Sequence, residues 1–367
     1  LVEQKTYFPA LTIREAEIKA LNKLAGPTKD RLFPIVRLQA WPRSKKDGPP
    51  LIERSLHKYI EAMEERSAAL DLAVPRTDRD SDAAIQGRAE ISKLRDPRCG
   101  FQVWVELIKR YPQFVPTVVW CDDADNLKVE IKSLIEIGRG IVLRLRRSQR
   151  WNLPNLSIVD SAVLKGQKIL VVMDCEQIDR REDILLVATE VQTVALRISS
   201  ILNSENVQFV VVGSSFPSDF ASIHNRTAKL DIRERQIFSL LDGSPALVKA
   251  HMKLRYGDHA SVFAGEREPQ FRGLPRVDYP APLKWIYHRR PQSEGFVAAA
   301  KAIVAEPEWN EALLCWGAQE IRRAADGDAS GLGAAAPWTA VRINLHLHRQ
   351  AHFDDHETGP IEEEWKD

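Results

Sequence analysis

The chain has 367 residues, enough for one large α/β domain or two ordinary ones, and 44% of them are hydrophobic, which excludes wholesale disorder. Lysine plus arginine number 52 and aspartate plus glutamate 51, a formal charge of +1, so no global field draws the protein to nucleic acid or to an anionic membrane. No apolar run approaches the roughly 18 residues that span a bilayer, and the first residues lack the basic-then-apolar pattern of a secretory signal.

Cys99, Cys121, Cys175 and Cys315 lie far apart with no CxxC spacing, so the expectation is a cytoplasmic protein with reduced thiols. Residues 7–11 are a short strand candidate, and Thr12 stands where a side-chain oxygen can cap the helix that follows. Ile13, Ala16, Ala20 and Leu24 share one side of that helix until Gly26 and Pro27 stop it. Residues 33–38 read as a strand, 41–50 as a Pro/Lys/Gly loop, and 51–70 as a helix with Leu56, Ile60 and Met63 on its buried stripe. Between 73 and 100 the pattern breaks into a charged insertion around Asp78.

Phe101, Trp104, Leu107 and Ile108 place a helix over 101–111, although 103–107 also fits a strand. A strand at 115–120 and a helix at 123–137, closed by Gly138, come next. Strands at 141–145 and 168–173 precede a long helix over 182–202, apolar on much of its circumference. A strand at 208–212, a weaker one at 228–232, a helix at 234–241 and strand candidates at 252–256 and 283–287 complete this part. After Ser293 the chain reads as helices at 296–304, 311–325 and 338–353, with a Gly/Ala stretch between the last two.

Most strand candidates are short, β-branched and end on a polar residue, as when Ile169 to Met173 run into Asp174. Such runs, separated by helices, are how a parallel sheet reads when both faces are covered. The sequence therefore predicts an α/β fold: a (β/α)8 TIM-barrel-like domain over 1–292 and a helical carboxyl-terminal segment, 293–367, packed on it. Nine strand candidates stand against the eight of a closed barrel, so one is misassigned or 283–287 lies outside the ring.

The polar residues at the strand ends are the candidate site, because α/β barrels bind ligands at that face. Asp174 and Glu176 are two apart and are expected to point the same way, as acid and base or as ligands of a divalent metal. Arg144 and Arg146, with Arg37, suit a phosphate or carboxylate, or the neutralisation of Asp174 across the barrel. Ser214 and Ser215 either offer hydroxyls to a phosphate or cap their own turn. Asp258 beside His259 makes an acid/base pair if the turn after Gly257 brings them together; otherwise His259 is an exposed loop residue. Glu234 also falls at this face. His346, His348, His352 and His356 are dense near the end; the last three share a helical face, but three ligands stacked over two turns do not meet at one metal. Lys45, Lys46, Arg289 and Arg290, near Trp41 and Trp285, are short basic clusters whose ordinary role is solubility.

Several segments in order resemble the phage-type beta protein family. They are Tyr7-x-Pro9 leading into Glu17-x-x-Ala20-Leu21, then Phe33-Pro34-Ile35-Val36, Ser214-Ser215-Phe216-Pro217 and Tyr256-Gly257-Asp258-His259. Trp285-Ile286-Tyr287, Cys315-Trp316-Gly317, Pro337-Trp338 and the region of His346 and His348 follow. The family usually carries an aromatic where His259 stands, and an acidic residue directly at the end of the third strand where Trp120 and Cys121 intervene here. The resemblance implies a barrel-like fold and an association with phage conflict, and no known catalytic residue; Tyr256 and Tyr287 are further candidate binding residues. Two functions are then expected: a hydrolase or lyase acting on a phosphorylated small molecule or nucleotide in antiviral defence, with Asp174, Glu176 and Asp258 in catalysis, or a non-enzymatic sensor or inhibitor that binds another protein of a defence module. A nucleic-acid binder is a third, weaker expectation, and no membrane is expected as a partner.

Overall fold

A computed structural model describes residues 2, 4–40, 51–73, 82–156, 166–181, 183–202, 206–218, 220, 227–265 and 274–355. Its strands are β1 (Phe8–Thr12), β2 (Ile35–Leu38), β3 (Ala68–Leu72), β4 (Phe114–Pro116), β5 (Ile141–Arg146), β6 (Ile169–Gln177), β7 (Val207–Ser214), β8 (Thr227–Asp231), β9 (Leu254–Asp258), β10 (Arg276–Pro280) and β11 (Lys284–Arg289). Eight of them form one parallel sheet in the order β4-β3-β2-β1-β9-β7-β6-β5. The two ends meet through a parallel bridge between Thr117 and Val142, with the Val118 N–H donating to the Val142 carbonyl at 3.0 Å. The ring is a nearly closed β/α barrel, visited in chain order with β8 left out.

The barrel interior is filled by Phe8, Ala10, Phe33, Ile35, Ala69, Val115, Val142, Leu170, Val172, Val210 and Val212, every second residue of each strand. Gly257 belongs to the same inward set, and a Cβ there would collide with the Phe8 carbonyl and with Val212, so the close approach of β9 to β1 requires glycine. The alternate residues face outward, where a larger apolar shell joins strands to helices. The helix Asp183–Leu202 buries Val187, Val191, Val194, Ile198 and Leu202 in that shell. By length and hydropathy it is also long and apolar enough to cross a membrane, which corrects the expectation that no apolar run is. It connects β6 to β7, which pair with each other in the ring, so its apolar side covers the sheet.

Three corrections concern the elements. Residues 68–72 are strand β3, whereas the helical stripe had been carried to Leu70; the helix stops at Met63. Its Ala68-Ala69-Leu70 run ending in Asp71 has the same form as the other barrel strands. Part of the charged insertion is the helix Asp82–Leu94, while its most charged stretch, including Asp78, lies outside the described residues. Thr12 does not cap the next helix: the helix Glu15–Asn22 starts after Arg14, with no side-chain cap.

The ninth strand is resolved by β8, β10 and β11, which form a separate antiparallel sheet in the order β10-β11-β8. In β8, Thr227, Lys229 and Asp231 alternate with Ala228 and Leu230, the half-exposed pattern of an antiparallel strand and not the continuous apolar run of the ring. So 283–287 does lie outside the barrel, and 228–232 lies outside with it. This sheet shares a second core, including Val277, Tyr279 and Ile286, with the helices Gly295–Val304, Trp316–Ala325 and Ala335–Ala351. The last helix also packs against Glu15–Asn22 and the barrel wall.

Candidate functional site

At the carboxyl end of the ring the inward positions turn from apolar to ionic. Arg37, Asp71, Arg144 and Asp174 each continue the alternation that places Ile35, Ala69, Val142 and Val172 inside. Arg144 is 3% exposed and lies at the centre. Its Nε and Nη2 donate to Asp174 Oδ2 at 3.0 and 2.6 Å, and its Nη1 donates to Asp71 Oδ2 at 2.8 Å. Arg146 reaches the same Asp71 oxygen at 3.3 Å. The Leu72 N–H donates to Asp71 Oδ1 and the Glu176 N–H to Asp174 Oδ1.

Burial by itself would raise both carboxyls, but the Arg144 guanidinium outweighs it, aided by Arg146 and Arg37 at Asp71 and by His259 at Asp174. Asp71 is held below the usual carboxylate range and Asp174 well below it. The charges do not close. Arg37, Arg144 and Arg146 face two aspartates, and the Arg37 side chain has no hydrogen bond or ion pair among the described residues. Its Nε is sealed from solvent without a partner. Burial, then the like charges of Arg144 and Arg146, push the Arg37 guanidinium down to about 9. Such a cation is short of the counter-charge and acceptors that a shielded guanidinium calls for.

His259 enters the same cluster. It is 7% exposed, and its Nε2 lies 3.1 Å from Asp174 Oδ1. Because Asp174 is ionised, Nε2 carries a proton and donates to it, which leaves Nδ1 as the ring's other nitrogen. Among the described residues Nδ1 has no hydrogen-bond partner. A buried imidazole oriented by a carboxylate is an arrangement for moving a proton. The exits of the contributing strands are strained as well: Arg150, Trp151 and Asn152 after β5, Glu176 in β6, and Ala260 and Ser261 after β9 all have positive φ. Such conformations persist where surrounding contacts over-determine them, and they concentrate at functional sites.

The structure brings together Arg37, Arg144, Arg146 and Asp174 from the expected set and disperses the rest. Glu176 does not point with Asp174. A register shift between Asp174 and Gln177 and a φ of 58° turn it away, and its carboxylate accepts from Ser148 N and Oγ at 2.7 and 2.9 Å. Ser214 Oγ donates to the Val262 carbonyl, and Ser215 Oγ donates to Glu234 Oε2 at 2.5 Å while accepting from the Arg233 N–H, so both hydroxyls hold their own turns. Burial, then the nearby Asp258 carboxylate, raise Glu234 to about 8.

Asp258 and His259 do not converge. His259 goes inward to Asp174, and Asp258 goes outward, where it is fully buried and accepts from Tyr256 Oη and His346 Nε2, both at 2.8 Å, from Tyr7 Oη, and from the Ala260 N–H at 2.7 Å. Tyr256 faces the same side, stacked against Arg235. Tyr287 is on β11, packed on Phe220 in an aromatic cluster with Phe216 and Trp285. His348 and His352 both contact Thr28 Oγ1 and pair helix to helix; His356 lies outside the described residues. Lys45, Lys46 and Trp41 also lie outside them, and Trp285 is buried.

Among the described residues, no three His, Cys, Asp or Glu side chains are placed to hold a metal ion, and both Asp174 oxygens are occupied by donors, so the donor set does not fit the divalent metal considered from sequence. One hollow among the described residues opens at the opposite, amino-terminal end of the barrel, against Ser67, Gln113, Arg139 and Lys168. There Arg139 is committed to the carbonyls of Ile108, Tyr111 and Phe114. Sequence reasoning missed Asp71, because its strand was read as helix, and weighed His259 as the acid/base partner of adjacent Asp258 or as an exposed loop residue, not as a partner of Asp174. The signal for Asp71 was present in the apolar run that it ends.

Fold and mouth together define a single-ring β/α barrel with a cationic, partly unsatisfied carboxyl-terminal face. The family model described as Beta protein matches residues 7–352, and the chain belongs to that family. It is 29% identical over 364 residues to "Protein beta" of Enterobacteria phage P4, covering 96% of this chain and 95% of that one.

Proposed function

We propose that this phage-associated barrel protein binds a phosphate-bearing small molecule or nucleotide at its mouth and acts on it as a hydrolase or lyase. The observation that carries the reading is the Arg37 guanidinium, shielded, among like charges and without a hydrogen-bond partner among the described residues. A phosphoryl group seated against Arg37 and the half-open Arg146 would give those N–H groups their acceptors and cancel the excess charge. Arg144, fully engaged by Asp71 and Asp174, fixes the geometry and is not itself free for ligand. His259, with Nε2 committed to Asp174, offers Nδ1 to take a proton from water or substrate and to return one to the leaving group. The phage source of the relative fits a use in phage conflict, with the barrel in the cytoplasm where phosphorylated metabolites occur.

The test is calorimetric titration with inorganic phosphate and a panel of phosphomonoesters and nucleotides, with turnover followed by phosphorus NMR. Arg37→Leu is expected to weaken binding by about tenfold or more, and His259→Gln to stop turnover while binding persists. Equal binding by the native protein and Arg37→Leu would refute the reading. Tight binding without turnover would select the non-enzymatic sensor.

A further inference from the structure

We infer that the carboxyl-terminal helix is a positioning element for the mouth: His346, with Trp285 of the antiparallel sheet, acts through Asp258 and the turn after β9 to hold His259 against Asp174. The inference rests on the reading of His259 as the proton-moving group. Its basis is that Asp258 and His259 are adjacent in chain and lie on opposite sides of the barrel wall. On the outer side, His346 Nε2 and Tyr256 Oη each donate to Asp258 at 2.8 Å, and Tyr7 Oη donates to its other oxygen. That other oxygen also accepts from the Ala260 N–H at 2.7 Å, which closes the first half of a turn made by two residues with positive φ, Ala260 and Ser261.

Trp285 completes the clamp. Its Nε1 donates to Ser261 Oγ at 2.9 Å, and its ring stacks on that of His346 with centroids 6.3 Å apart. On the inner side, the His259 N–H donates to the Gly213 carbonyl and Ser214 Oγ holds the Val262 carbonyl. The His259 and Ala260 N–H groups, Ser261 Oγ and the Val262 carbonyl are thereby fixed, and two of the fixing side chains come from elements outside the ring. Left-handed residues without glycine are costly, so this turn relaxes when its outer contacts are removed. Relaxation rotates β9's end and withdraws Nε2 from Asp174. Among the described residues, neither His346 nor Trp285 hydrogen-bonds to the inner ionic cluster, so they are positioning residues.

The test is nitrogen-15 NMR on histidine-labelled full-length protein, following the His259 Nε2–H resonance, assigned by its loss in His259→Gln. His346→Leu is expected to abolish that protected resonance, and His346→Gln, which can still donate to Asp258, to retain it. Trp285→Phe, which keeps the ring and deletes the donor to Ser261, is expected to weaken its protection from exchange, and it serves if His346→Leu does not fold. The proposal is overturned if the resonance is unchanged in the disrupting variants, or if His346→Gln loses it as completely as His346→Leu. Phosphate titration of the native protein on the same samples separates the two ideas: failure to bind phosphate removes the mouth reading, while the resonance still reports whether the helix positions His259.

Discussion

Asp174 on the inner face of the barrel wall and Asp258 on its outer face are both buried carboxylates held below their usual range, Asp258 at about 2, yet their surroundings differ in what they leave over. Around Asp258, burial is outweighed by His346 and by the hydroxyls of Tyr7 and Tyr256, and its oxygens are shared among four donors in a closed shell. Around Asp174 and Asp71 there are three guanidiniums for two carboxylates, and the Arg37 guanidinium has no hydrogen-bond partner among the described residues. A closed shell of this kind joins elements of the fold, here β1, β9 and the Ala335–Ala351 helix. An open one costs stability unless something arrives to complete it. The same residue types thus close a joint on one side of a strand and leave an unmatched cation on the other.

Substitutions at the centre of each cluster should separate the two roles. Arg144→Leu leaves Asp71 and Asp174 buried and unpaired, and urea unfolding should show a loss of about 3–5 kcal/mol, the largest effect expected. Asp258→Asn keeps the shape of the outer shell but removes its charge, and the loss there should be about 1–3 kcal/mol. Arg37→Leu is the sharpest discriminator. Relief of repulsion offsets lost packing, so stability should change by less than about 0.5 kcal/mol while phosphate affinity falls. A loss as large as that of Arg144→Leu would make the mouth a structural ion cluster like its neighbour.

The pH dependence distinguishes the clusters further. Glu234 is pushed up to about 8 from the ordinary 4.5, so between those values the folded state keeps a proton that the unfolded state has released. Stability therefore falls as pH rises through that window, and Glu234→Gln should remove this fall, raising the melting temperature at pH 9 with little change at pH 4. Asp258 works in the other sense. Its folded value of about 2 lies below the ordinary 3.8, so its contribution is complete above about pH 4 and is lost as pH falls toward 2. Melting curves of Asp258→Asn and the native protein should converge at the acid end.

Much of the ring was legible. Continuous β-branched runs such as Ile169 to Met173, each followed by a helical stretch, specify parallel strands covered on both faces, and the polar residues that end them marked Arg37, Arg144, Arg146 and Asp174. What sequence could not assign was side. Alternation predicts that residues two apart agree, but the irregularity after Asp174 sends Glu176 to Ser148. Adjacency suggested that Asp258 and His259 act together, but extended backbone puts them on opposite faces, and His259 finds its carboxylate on another strand. Asp71 was hidden because a short alanine-rich strand continues a helical stripe without a glycine or proline to end it.

The order and direction of the barrel strands were determined by the chain itself, because an apolar run of strand length between amphipathic helices has few other ways to bury both faces. The pairing of charges was decided only in three dimensions. Which guanidinium meets which carboxylate depends on register around the ring and on a single extra residue in β6, and those are properties of strands packed together that no one segment encodes.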